Sequence, residues 1–192
     1  MTGGVQTTTD ASLPIPLYIA VEKFSPSEGQ GWDDYIAWSG LAQLDEVVTL
    51  DGMICPFVLE EIKDSYWDHI VKEDGMLNFF TNFDFFMKEL GTAQNANVLG
   101  VLRNPTLEAV QQGLGDRFRF VGYDLLDQDH SISALTNCGG FPEVFDNAEL
   151  STKGLLTDYD RAKEIQRDLR RLHPEERHAD CNIWAIFRMI SA

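Results

Sequence analysis

Apolar residues recur along this chain with two different periods, and the alternation between them outlines the expected elements. Five stretches have the β-branched and aromatic content or the two-residue period of strands: IPLYIAVEK at 15–23, EVVTL at 46–50, ANVLGVLR at 96–103, RFRFVGYDLL at 117–126 and CNIWAIFRMI at 181–190. The last shows little polar alternation, which predicts a strand inside the sheet rather than at its edge.

Helical spacing recurs elsewhere. Trp32, Tyr35, Ile36 and Leu41 predict a short helix over 32–42. Leu59, Ile62, Tyr66, Ile70 and Val71 predict another, ending at Gly75. Met76, Phe79, Phe80, Phe83, Phe86, Met87 and Leu90 predict a third, closed by Gly91. In NPTLEAVQQGLG, Asn104 as cap and Pro105 at the first position open a fourth. Tyr159, Ala162, Ile165, Leu169 and Leu172 form the stripe of a fifth, with Thr157 and Asp160 as its capping pair and Pro174 beyond its end.

The order of these elements is mixed, and no early strand-to-helix turn carries a glycine-rich phosphate loop. The expected fold class is α+β: a single domain with one mixed or mainly antiparallel sheet of about five strands covered by helices. The helix after 96–103 leaves a parallel arrangement with 117–126 open. Residues 13–192 are expected to form the domain, and the small, polar stretch 1–12 a loose tail.

Charge changes this picture most. The chain carries −16 over 192 residues, and residues 1–150 hold 7 Lys/Arg against 24 Asp/Glu, whereas 151–192 hold 8 against 7. Such a field disfavours nucleic acid and anionic lipid, and attracts a basic partner. Three widely spaced cysteines do not make a disulfide framework, which points to a reducing compartment. The apolar run 13–21 lacks a preceding basic segment, holds two prolines and is too short to span a bilayer. A cytoplasmic protein without a membrane or nucleic-acid partner is expected.

Three kinds of chemistry can be written onto these residues. In ALTNCGGFPEVF, Cys138 precedes two glycines and Pro142; a helix starting there would lower the thiol pKa and supply amides to an oxyanion. His130 or His178 would then serve as base, oriented by Asp129 or Asp180, in a hydrolase or transferase. A zinc site would draw on Cys138, His178 and Cys181, with Cys55 as a fourth ligand, although only one close ligand pair exists. A buried, inert thiol accounts for each cysteine equally simply.

The carboxylates of 60–68 and of DLLDQDHS at 124–131 read as solvated faces, and the arginines of 167–177 as helix-terminal charges with local acidic partners. The function expected is that of an acidic binding protein (an inhibitor, immunity-type antagonist or adaptor) engaging a basic partner, without a cofactor. Its contact residues would include Trp32, Asp33, Asp34, Glu60, Glu61, Asp64 and Asp68. The alternatives are an enzyme built on Cys138 and a structural or homo-oligomeric subunit.

Overall fold

The computed structural model describes residues 14–24, 35, 36, 39–92, 95–136 and 141–190. Among them four strands form one antiparallel sheet: β1 (Leu17–Glu22), β2 (Ala96–Arg103), β3 (Phe118–Leu126) and β4 (Asn182–Met189), in the spatial order β1-β2-β4-β3. The helices are α1 (Phe83–Leu90), α2 (Leu107–Gln112) and α3 (Tyr159–Leu172), with short 3-10 turns at Asp64–Tyr66, Asn147–Glu149 and Arg177–Asp180. The α+β class and the antiparallel sheet are as the pattern predicts, but the strand count is four rather than five. The predicted tail lies outside the described residues.

β4 sits between β2 and β3, as its near-continuous apolar run requires, and Trp184, Ala185, Ile186 and Phe187 are all buried. β2 and β3 both run antiparallel to β4, so they are parallel to each other and separated by it. The connection through α2 therefore skips one position. The pairing register places Leu17, Val101 and Ile186 in one row and Asp124 opposite Trp184. Alternation along each strand puts Leu17, Ile19, Leu99, Val101, Trp184, Ile186 and Asp124 on one face. On the other face Tyr18 meets Phe83 of α1 at 5.0 Å, and Tyr123 meets Tyr159 of α3 at 5.7 Å.

The first face is covered by irregular chain, which is where the sequence pattern misleads. The helix predicted over 59–75 is absent apart from its 3-10 turn, and the next forms only from Phe83 onward. The sheet edge is the competing demand. Tyr18 exchanges two 2.8 Å backbone hydrogen bonds with Phe80, Val58 donates to Ala20, and Glu22 donates to Pro56. Residues 69–81 fold back on themselves, with Val71 donating to Phe79 and Thr81 to His69, around a turn containing Gly75 at φ 76°. An edge strand otherwise presents unpaired backbone groups, and these segments satisfy them.

The opposite edge is treated likewise. Tyr123 pairs with Leu156 through bonds of 2.7 and 3.0 Å, and Ala134 donates to Leu125. The register shifts between Phe120 and Gly122, a bulge at which Gly122 (φ 152°) lets Leu155 and the Leu156 carbonyl approach closely.

The predicted strand 46–50 is also corrected. Its residues are buried, but Val47 donates to Phe24, Val48 to Lys153 and Leu50 to the Asp124 carboxylate, so no single neighbouring strand receives them. Of the predicted helix 32–42, residues 35, 36 and 39 are helical among those described. The caps of two helices move by one or two positions. Thr106 rather than Asn104 caps α2, accepting from the Ala109 amide, and Asp158 rather than Thr157 caps α3, accepting from Arg161. Gly91 ends α1 as expected, at φ 62°.

Candidate functional site

The predicted contact residues of 60–68 lie on an irregular strip anchored from beneath. Tyr66 is fully buried, edge-on to Phe80 at 5.2 Å and to Phe85 at 5.9 Å. Lys63 reaches Glu89 of α1 at 3.5 Å. Glu60, Glu61, Asp64 and Asp68 are all exposed, and Trp67, the residue after the anchor, is 43% exposed. Four exposed carboxylates and an exposed indole therefore share the segment 60–68, within which Tyr66 is the buried anchor. Trp32, Asp33 and Asp34 lie outside the described residues, as does Trp38.

Cys138 and the glycines after it also lie outside the described residues. Its candidate partners do not. His130, 5% exposed at φ 56°, sits with its Nδ1 3.4 Å from Asn182 Nδ2 and its ring edge-on to Trp184. His178 packs edge-on against Phe141 at 5.3 Å, and Phe141 also meets His173 at 4.9 Å. Both ring nitrogens of His178 are buried without a hydrogen-bond partner among the described residues. Neither orienting aspartate is joined to a histidine: Asp129 pairs with Arg177 at 2.8 Å, and Asp180 with Arg170 at 2.9 Å.

Burial pushes the pKa of both histidines below the ordinary value of 6.5; the positive charge of Arg103 adds to this for His130. The neutral form is thus favoured in the folded chain. Below pH 6.5 the unfolded chain takes up protons that these side chains in the fold resist, so stability falls with acidification. The expected slope between pH 6.5 and 5 approaches about 1.4 kcal/mol per pH unit for each fully resisting histidine. A His130→Asn, His178→Gln double variant should flatten the dependence of urea midpoint on pH in this window. Asparagine is chosen at 130 because it tolerates positive φ. An unchanged slope would show that other groups set it.

The zinc ligands are not assembled among the described residues. Cys55 and Cys181 are free and buried, and burial pushes each thiol up to about 12. Cys55 Sγ lies 3.5 Å from the Val47 carbonyl, as a protonated donor would. No group of three or more His, Cys, Asp or Glu among the described residues is placed to hold a metal.

Of the i,i+3 pairs that the spacing offers along 157–172, Asp168–Arg171 forms, whereas Glu164 pairs with Arg161 rather than Arg167 and no Asp160–Lys163 pair is present among the described residues. Arg161 pairs with Glu149 and Glu164, Arg171 with Asp168, and Arg170 with Asp180. No helix of the described residues is long and apolar enough to cross a membrane.

One constellation escaped the sequence reading, which placed 124–131 on a solvated face. Asp124 and Asp127 are fully buried, as is Asp51 from a different loop. Asp124 accepts from the Thr49 hydroxyl at 2.7 Å, the Ser133 hydroxyl at 2.5 Å, the Leu125 amide at 2.8 Å and the Leu50 amide at 3.3 Å. Asp51 accepts from the Met53 and Ser133 amides, and Asp127 from Ser131 and Ile132, with Arg177 2.9 Å from its outer oxygen. Burial raises the Asp124 pKa against the pull of Ser133, Thr49 and the Leu50 amide, and the nearby Asp51 raises it further. The three carboxylates tie the loops at 49–55 and 131–136 to the end of β3. Their one visible signal was an Asp inside the apolar run VGYDLL.

Comparison with protein-family models, with curated proteins and with solved structures finds no match. The functional reading therefore rests on the geometry alone.

Proposed function

We propose that this is an acidic binding protein of the cytoplasm, and that it engages a basic partner protein through the strip 60–68. The observation that supports this is Trp67, exposed next to the buried anchor Tyr66 in a segment whose Glu60, Glu61, Asp64 and Asp68 are exposed as well. A tryptophan held at its base supplies contact area at small entropic cost, and the carboxylates speed encounter and select charge. An overall charge of −16 has the sign needed to steer a cationic surface towards the chain.

The test is affinity capture on immobilised protein with a salt gradient, run beside Trp67→Ala and a Glu60→Lys, Glu61→Lys variant. One basic protein should elute at moderate salt. Trp67→Ala should weaken it about 10- to 30-fold, as loss of about 2 kcal/mol does. The melting temperature should barely change. Retention that ignores both variants, or that survives high salt, would overturn the reading.

A second reading is supported by His178, whose buried ring nitrogens lack partners and whose neighbour Phe141 follows Cys138 by three positions. In that reading the chain is a hydrolase or transferase with Cys138 as nucleophile. The rate of alkylation of Cys138 against pH decides it. An activated thiolate reacts with an apparent pKa well below about 8.5, and an inert thiol does not.

A further inference from the structure

The turn after β2, a solvent-accessible flank of α3 and the start of β4 border a polar cleft of about 440 Å³ that the acidic strip does not use. That volume falls in the range of small-molecule sites. Along α3, Lys163, Gln166 and Arg170 stand at i, i+3 and i+7 and so share one face. The opposite wall is the turn Asn104–Pro105–Thr106, and Cys181 to Ile183 form the end of the cleft.

The walls are held in place by hydrogen bonds. Tyr159 donates to the Pro105 carbonyl at 2.6 Å, and Gln166 donates to the Cys181 carbonyl at 2.7 Å. Arg170 is held by Asp180, itself a lining residue, at 2.9 Å, with its Nε 3.3 Å from the Ala179 carbonyl. Asn104, at φ 45°, accepts from the Ile183 amide at 3.0 Å and donates to Asn182 at 2.6 Å.

Of the cations on α3, Lys163 and Arg167 have no carboxylate within ion-pair distance among the described residues, and of these two Lys163 lines the cleft. Arg161, Arg170, Arg171 and Arg177 each pair with carboxylates, but Lys163 has no carboxylate partner among the described residues, and its Nζ rests 5.0 Å over the Tyr159 ring. Lys163, Arg170 and Asp180 leave the cleft with a net positive charge in a chain of −16. Gln166 spends its amide NH₂ on Cys181, so its carbonyl oxygen is the part left to accept from a hydroxyl.

We propose that this cleft binds a small phosphate monoester that carries a hydroxyl group. The Lys163 ammonium and the Arg170 guanidinium take the phosphate oxygens, as charge-assisted donors do. The Gln166 carbonyl accepts from the hydroxyl.

The test uses amide chemical shifts of the full chain, titrated at constant ionic strength with inorganic phosphate and with glycerol 2-phosphate. Both should give saturable shifts confined to the neighbourhoods of 104–106, 163–170 and 180–183, with the ester binding more tightly. Lys163→Gln should weaken both by about fivefold, the effect of losing one partly screened charge contact. Lys163 is exposed, so this variant is expected to fold. Shifts that rise linearly, that added chloride reproduces, or that persist unchanged in Lys163→Gln would overturn the site. An ester no tighter than inorganic phosphate would overturn the hydroxyl contact, and with it the monoester assignment.

Discussion

Replacing Asp124 by alanine should cost the fold about 3–5 kcal/mol, a large part of the 5–15 kcal/mol typical of a domain. The cost arises from what the carboxylate leaves behind. Four donors converge on it inside the protein, two hydroxyls and two backbone amides. The Thr49 and Ser133 hydroxyls can rotate, but the Leu50 and Leu125 amides cannot, and a buried donor without an acceptor carries its full desolvation penalty. Because Thr49 and Ser133 belong to different loops, the variant also loosens both of them from β3. Asp124→Asn keeps one acceptor oxygen and should lose roughly half as much. Urea unfolding of the three proteins measures this, and a loss below about 1 kcal/mol for alanine would show that the loops are held by packing alone.

Trp184→Ala should be of similar size, about 3–5 kcal/mol, for a different reason. Trp184 is fully buried on the central strand β4, stacked on Phe79 at 5.1 Å and met edge-on by His130 at 5.5 Å. Truncation opens a cavity at the junction of the sheet and the irregular segments over it, where the surrounding chain relaxes only in part. Trp184→Phe separates packing from polarity. The indole Nε1 has no hydrogen-bond partner among the described residues, so no bond to them is lost with it, and the cost should be about 1–2 kcal/mol from volume alone. Denaturant midpoints for the pair give the comparison. Equal losses in alanine and phenylalanine would mean that the site cannot tolerate any change of shape.

β2 runs from Ala96 to Arg103 as its pattern predicts, and β1, β3 and β4 agree to within two residues at each end. These strands bury alternating or continuous apolar residues against well-defined neighbours, so period and burial coincide. The segments 57–82 carry an equally good helical period. There Tyr66, Ile70, Met76, Phe79 and Phe80 are buried, but through turns and extended backbone, because β1 required hydrogen-bond partners along its outer edge. A helix satisfies its own backbone and has none to offer a neighbouring strand.

For the candidate sites the same distinction holds. That Glu60, Glu61, Asp64 and Asp68 are exposed, and that Arg161 and Arg171 of α3 find acidic partners three residues away, follows from local spacing and charge. Which aromatic among them would project and which would be swallowed does not. Tyr66 and Trp67 are neighbours in sequence, and only contact with Phe80 and Phe85 makes one the anchor and leaves the other exposed.

Strand periods, the acidic excess and the interior place of β4 are properties of short windows and of composition, so the chain declares them directly. The burial of Asp51, Asp124 and Asp127 depends on donors from Thr49, Ser133 and Arg177, up to about 80 positions away. The polar cleft likewise exists only because α3 packs beside the turn after β2 and the start of β4. An aspartate or lysine has no intrinsic preference that encodes such partners. The free energy of its burial or isolation is set by groups that only the folded chain brings within hydrogen-bonding distance.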